Sequence, residues 1–430
     1  MALWRQETAL HPTFASINGC LKDDWFLLPF ELRLQKAHAL TLEAAGILSA
    51  RERVDVERAL QAIHGKYAQA ACPDDEAEDI HTWIEQQLTA RIGDAGKKVH
   101  TARSRNDQVA TLLVMFLIDA GQGCSAELGL LIERCCRRAT EWSDLPMPLH
   151  THTQLAAPGN VGFWLLRYAT ALQRAREHLQ YYLASWRRHC PLGSGAVAGS
   201  SIPIDRRIQA ADLGFDGPSP NALDSTGTRD PCLEFLFVAT QIALHLQAFA
   251  ADVILFSQTT LRWATYPRSF GTGSSMMPNK INPDAMELLR GRCNAFPAAM
   301  NQAILLLKGL PSGYNRDLQC IKPLVRDAAG ELRALLAMTE AFLGELQFDA
   351  SRLAEDLQHG HLDATYRMEQ QVLRGTPLRD AHHAVAADLA AKGPGASAEA
   401  FDPATYQTIG GASPAETRRV AGELLSTLSL

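Results

Sequence analysis

Residues 271–292, GTGSSMMPNKINPDAMELLRGR, set two serines, a lysine and an asparagine directly before a run with helical periodicity. Asn282 can cap a helix starting at Pro283, and Lys280 lies two residues earlier. Backbone N–H groups, the positive end of the helix dipole and an ammonium would then converge on one anion. Beside that positive potential a serine hydroxyl of GTGSS can lose its proton and act as a base. Glu287, one helical turn further in, suits a carboxylate that orients a histidine from another segment and raises its basicity. Gly- and Ser-rich segments are also ordinary linkers, and the residues alone leave both readings open.

Two more polar stretches have side chains beyond what a connecting loop needs. HTARSRNDQ at 100–108 sets Arg103 and Arg105 beside Ser104, Asn106 and Gln108, which makes a bidentate carboxylate receptor or, equally, a solvated helix start. LHTHTQLAAP at 149–158 contributes His150 and His152, read as pointing apart and so as poor joint metal ligands. With no carboxylate or cysteine at metal-site spacing nearby, no metal is expected. A histidine entering a helix is either a structural hydrogen-bonding group or a proton-transfer group. GSGAVAG at 193–199 has the wrong glycine spacing and no preceding strand for dinucleotide binding. GDAGKK at 93–98 lacks the full phosphate-loop pattern, so no nucleotide cofactor is implied.

Long amphipathic helices must position these loops. Helical periodicity extends over 106–140, 159–190, 230–264, 283–308 and 321–347, with Asp230 and Pro231 opening the third. The wide apolar arcs, as in TLLVMFLIDA at 111–120, predict burial on several sides and a homo-oligomer. An all-α bundle is expected, divided into a helical domain at 1–105, a central helix-bundle domain at 106–349 and a small helical domain at 350–430. The last contains a turn-rich connection, KGPGASAEAFDP, at 392–403.

A net charge of −6 gives no general attraction to nucleic acid or an anionic membrane, so a small-molecule partner is expected. Nine cysteines without C-x-x-C spacing predict reduced thiols and a cytoplasmic location. The N-terminal stretch lacks the pattern of a secretory signal, and no uninterrupted apolar run reaches membrane-spanning length.

GSSMMPNKINPDAMELLRGR resembles the signature of the fumarase/aspartase superfamily, G-S-S-x-M-x-x-K-x-N-x-x-x-x-E, at every fixed position. EDIHTWIEQQL, KVHTARSRNDQVAT, PLGSGAVAG, NALDS, EFLF and LKGLPSGYNRDLQ are further similar, in order, to segments of the argininosuccinate lyase family, over residues 13 to 347. The resemblance implies a three-domain fold whose long helices associate into a tetrameric core, with each active site built from loops of three subunits. It implies anti β-elimination of argininosuccinate to fumarate and arginine without metal or organic cofactor. Ser274 would be the base, Lys280 and Asn282 the stabilisers of the aci-carboxylate, and His152 with Glu287 the group at the leaving nitrogen. Ser104, Arg105, Asn106 and Thr151 would hold the succinyl carboxylates, and Tyr314, Gln319 and Lys322 the amino-acid end. Ser16 would be a further substrate contact, and His81 and Asp79 match the DIHT segment of the family pattern.

The chain departs from that pattern at Leu149-His150, Thr153, Leu155, Thr228 and Tyr366. These departures keep open a related C–N lyase that releases fumarate from a different N-substituted aspartate. A catalytically silent structural homologue is the third reading.

Overall fold

The computed structural model describes residues 10–392 and 403–428. The expected connection at 392–403 falls, apart from its end residues, outside them. The chain gathers into two compact units. One comprises the chain up to Cys124 with His178–Thr240 and Ala295–Glu331; the other comprises Ser125–Glu177, Gln241–Asn294 and the chain from Leu332 onward.

Helices dominate both units, as the periodicity predicts. The long ones are Arg105–Glu141, Val161–Trp186, Asp230–Ser257 and Ile321–Glu345, and each contributes to both units. The Asp230–Ser257 helix begins where Asp230 and Pro231 predict, with the Asp230 N–H donating to Thr228 Oγ1 at 3.3 Å. Arg105–Glu141 and Asp230–Ser257 are long and apolar enough by composition to cross a membrane; 61% of the most apolar stretch of the first and 44% of that of the second is buried within this chain. The first unit's core packs Leu34, Leu42, Ile63, Trp83, Leu88 and Leu112. The second is rich in aromatics: Trp164 lies 5.3 Å from Phe256 and 5.7 Å from Phe348, edge-on in both pairs.

Two sequence expectations are corrected. The stretch 283–308 is two helices, Asp284–Arg292 and Ala295–Leu307. Pro297 explains the break: it has no N–H to donate, and its ring excludes a helical carbonyl four residues earlier, so it is tolerated only in the first turn of a new helix. Asn294 closes the gap by donating Nδ2 to Gly291 O at 3.0 Å. Asn282 is not the cap of the first of these helices. Pro283 holds that position and Asn282 lies in a short strand, Ile281–Asn282, paired with Thr272–Gly273.

The segment read as a loop at 149–158 is a hairpin, with Pro146–Thr151 antiparallel to Gln154–Asn160. His152 and Thr153 form its turn, with φ of 55° and 60°. Both are left-handed, as a two-residue hairpin turn requires to match the strand twist. The two histidines do separate, but for a different reason from the one expected. Residues two apart on a strand share a face, and it is the turn that carries His152 away.

Candidate active site

In the first unit, Ser104 caps the long Arg105–Glu141 helix. Its Oγ accepts the Asn106 N–H at 3.3 Å, and its carbonyl accepts the Gln108 N–H at 3.2 Å. Ser104, Arg105 and Asn106 therefore sit at the positive end of a 37-residue helix, where an anion is favoured. Asn106 Nδ2 donates to Ala196 O at 3.0 Å, joining this end to the 193–199 loop. That glycine loop, which has no nucleotide spacing, wraps the carboxylate of Asp107. Asp107 Oδ2 accepts the N–H groups of Gly193 and Gly195, both at 2.9 Å. Gly195 has φ of 62°, and a Cβ there would stand 2.4 Å from Gly199 O.

Arg105 is paired on both sides. Its Nη1 lies 3.2 Å from Glu78 Oε2 and 3.2 Å from Asp79 Oδ2. Asp79 caps the Ile80–Ile92 helix by accepting from Thr82 N at 2.8 Å and Thr82 Oγ1 at 2.7 Å. Burial alone would raise the Asp79 carboxyl, but the charges of His81 and Arg105 with the Thr82 bonds outweigh it and hold the group below its usual range. His81 is turned inward. Its Nδ1 lies 3.0 Å from Glu31 Oε2, and against the opposing effect of burial that carboxylate holds the imidazole above its ordinary value. Arg103, read with Arg105 as half of a receptor, is buried and donates Nη2 to Gln35 Oε1 at 2.8 Å. It belongs to the core because the backbone turns there, with Ala102 at φ of 63°.

Glu78 also accepts from Arg316 at 2.8 Å, and its carbonyl accepts the Cys20 N–H at 2.7 Å. Cys20 Sγ donates to Asp24 Oδ2 at 3.2 Å, and Asp24 forms a buried ion pair with Lys322. Burial opposes the ammonium, but Asp24 holds the Lys322 value above normal. Burial pushes the Cys20 thiol up to about 12, against the pull of Lys322. Tyr314 has its ring 5.9 Å from the Arg229 guanidinium carbon. Gln319 is half-buried in the turn before the Lys322 helix.

The fold thus links Asp79, Arg105 and Lys322, which the sequence singles out, through Glu78, Arg316, Cys20 and Asp24, which it does not. Only the i, i+4 spacing of Cys20 and Asp24 and the position of Glu78 beside Asp79 offered a signal. Ser16 lies outside this linked set: it is exposed on the Pro12–Asn18 helix, its Oγ donating to Thr13 O at 2.8 Å.

In the second unit, Ser274, Lys280 and Asn282 share the 272–282 hairpin. Asp284 anchors its base, accepting from Thr272 N and Oγ1, both at 2.7 Å. Ser274 Oγ accepts the N–H groups of Met276 at 3.3 Å and Met277 at 3.1 Å. Two donors on one hydroxyl oxygen favour its deprotonated form. Lys280 is exposed, and Glu287 is exposed in the first turn of the following helix. Thr151 and His152 occupy the tip of the other hairpin, both exposed. Among the described residues no hydrogen bond or ion pair joins His152 to Glu287 within the chain.

A family model described as lyase matches residues 26–296. The chain is 39% identical to an argininosuccinate lyase of Acidobacterium capsulatum over 90% of its own length and 81% of that protein's. It is 36% identical to one of Legionella pneumophila over 90% and 94%. Among solved structures, an EDDS lyase in complex with formate superposes with a TM-score of 0.84 at 22% identity, over 98% of this chain and 91% of that one. A class II fumarase from Schistosoma mansoni does so with 0.69 at 19%, over 87% and 89%. The structures share the all-α fold; from the sequence relatives and the lyase match, the chain belongs to the argininosuccinate lyase family.

Proposed function

We propose that this protein is an argininosuccinate lyase of arginine biosynthesis, cleaving argininosuccinate to fumarate and arginine by anti β-elimination. The observation that carries this reading is Ser274, whose Oγ accepts two backbone N–H groups at the neck of a hairpin that also bears Lys280 and Asn282. As an alkoxide, Ser274 takes the Cβ proton of the succinyl moiety. The electron pair passes into the adjacent carboxylate, whose dianionic aci-form Lys280 and Asn282 stabilise. The C–N bond then breaks, its electrons remain on nitrogen, and a proton reaches that nitrogen through His152, with Glu287 as charge partner. Ser104, Arg105, Asn106 and Thr151 hold the succinyl carboxylates. Tyr314, Gln319 and Lys322 hold the amino-acid end, Ser16 makes a further substrate contact, and His81 and Asp79 have supporting roles. No cofactor enters this scheme.

The same reading includes a homotetramer with sites shared between subunits and the three-domain division at 105 and 349. Apolar side chains left exposed on bundle helices support the tetramer: Phe237 at 46%, Leu244 at 55% and Leu305 at 62%. Nine cysteines, with no disulfide among the described residues, support a cytoplasmic location. Fumarate absorbance on mixing purified protein with argininosuccinate tests the activity, and no rise at high enzyme concentration overturns it.

Thr153, Leu155 and His150, which depart from the family pattern, lie on the hairpin that carries His152. They favour, as the second reading, a different N-substituted aspartate. A substrate panel decides between the two, since fastest turnover of argininosuccinate rejects the second.

A further inference from the structure

We infer that His150 is a positioning residue for His152, acting through its stack on Trp263. The inference rests on the proton-transfer role proposed for His152.

A two-stranded hairpin standing alone is marginal in water. This one also carries two consecutive non-glycine residues in the left-handed region, His152 and the β-branched Thr153. Such a conformation persists only where its surroundings over-determine it. At the tip itself the local bonds are few: Thr151 pairs with Gln154, and Thr153 Oγ1 donates to His152 O at 2.6 Å. The constraint therefore has to enter lower on the strands.

It enters at the pair His150–Leu155, just above an irregularity in register between Leu149 and His150. The His150 ring lies 5.0 Å from the Trp263 ring with planes 22° apart. Trp263 is fully buried and fixed three ways. Its Nε1 donates to Asp356 Oδ2 at 2.7 Å, its carbonyl accepts the Asp349 N–H at 2.8 Å, and its ring lies 5.2 Å from Phe256. Asp356 is in turn held by Arg352 Nη2 at 2.9 Å. On the opposite strand Leu155 packs so closely on Gly360 that a Cβ there would stand 3.3 Å from it. One residue earlier on the His150 strand, Leu149 packs across the hairpin on Gly159, where a Cβ would stand 2.6 Å from it. The hairpin is thus held from outside at the His150–Leu155 level and braced between its own strands just below. His150 is the level nearest the tip on the strand that leads into His152, and its flat ring resists both slippage and twisting of that strand.

The test uses the full-length protein with His150→Ala and His150→Tyr, the second of which keeps a ring able to stack. Hydrogen–deuterium exchange of residues 146–160 and the separate kcat and KM for argininosuccinate are measured for each. His150→Ala is expected to speed exchange of the hairpin amides about tenfold and to lower kcat on the order of tenfold, since misplacing a reacting group by ~1 Å costs up to about a hundredfold. KM should stay within about threefold, and His150→Tyr should restore both readouts. His150→Leu keeps bulk without a plane and gives the same comparison where the alanine variant does not fold. Unchanged exchange in the variants without a ring overturns the inference, as does a tyrosine variant as impaired as the alanine one. A wild-type protein that turns over no substrate defeats the proposed activity and leaves the exchange result to decide the positioning role.

Discussion

Lys322 and Asp24 form an ion pair whose side chains are only 2% and 1% exposed, 298 residues apart in the chain. Taking two charges out of water is costly, and removing one partner strands the other without compensation. Asp24→Ala is therefore expected to destabilise the protein by about 3–5 kcal/mol. Chemical denaturation at fixed protein concentration checks this. An effect under about 1 kcal/mol would mean that the Lys322 ammonium finds another partner or reaches water.

Ser274→Ala should leave the fold intact, because the side chain's bonds are confined to its own hairpin turn. Turnover should fall by roughly 10²–10⁴-fold, the typical contribution of a positioned base. Unchanged turnover in any positive assay would remove Ser274 from the mechanism while leaving the family assignment standing.

Lys280→Ala removes one stabiliser of the developing dianion. A loss of about 3 kcal/mol, on the order of a hundredfold in kcat, is expected with the melting temperature nearly unchanged, since the side chain is exposed. A KM effect alone would assign Lys280 to binding.

His38 gives stability a pH dependence. Its Nε2 lies 2.8 Å from Thr101 O and its Nδ1 faces Gln209, and burial chiefly, with Arg103 assisting, holds the ring down to about 3. The folded protein prefers neutral His38 while the unfolded chain protonates near 6.5, so this contribution is full above pH 6.5 and is lost as pH falls toward 3. Between pH 7 and pH 5 the loss from this group is about 2 kcal/mol. Denaturation midpoints at the two pH values should converge in His38→Gln relative to wild type. An equal fall in both proteins would reject the assignment.

Gly195→Ala should be among the costly glycine substitutions. The left-handed backbone penalises a side chain, the added carbon would meet the Gly199 carbonyl, and the loop must close on Asp107 to satisfy two N–H groups. A stability loss of about 2 kcal/mol or more is expected. A neutral outcome in thermal unfolding would show that the loop can be remodelled without cost.

The long helices, and the start of one of them at Asp230 and Pro231, were readable from the chain itself, because periodicity and capping residues act over a few positions. Pro297 was visible too, and the break it imposes at residues 293–294 was missed only because apolar periodicity runs across it. What the sequence could not show was partnership at a distance. Asp24 and Cys20 meet Lys322, Glu78 bridges Arg105 and Arg316, and Arg103 leaves its neighbour Arg105 to enter the core. Each depends on which side chains lose water together when distant segments pack, and local sequence does not encode that loss. The hairpin at 146–160 is the clearest case. Its residues read as a loop in isolation, and only Trp263, buried by the packed unit, supplies the surface against which His150 can hold the strand.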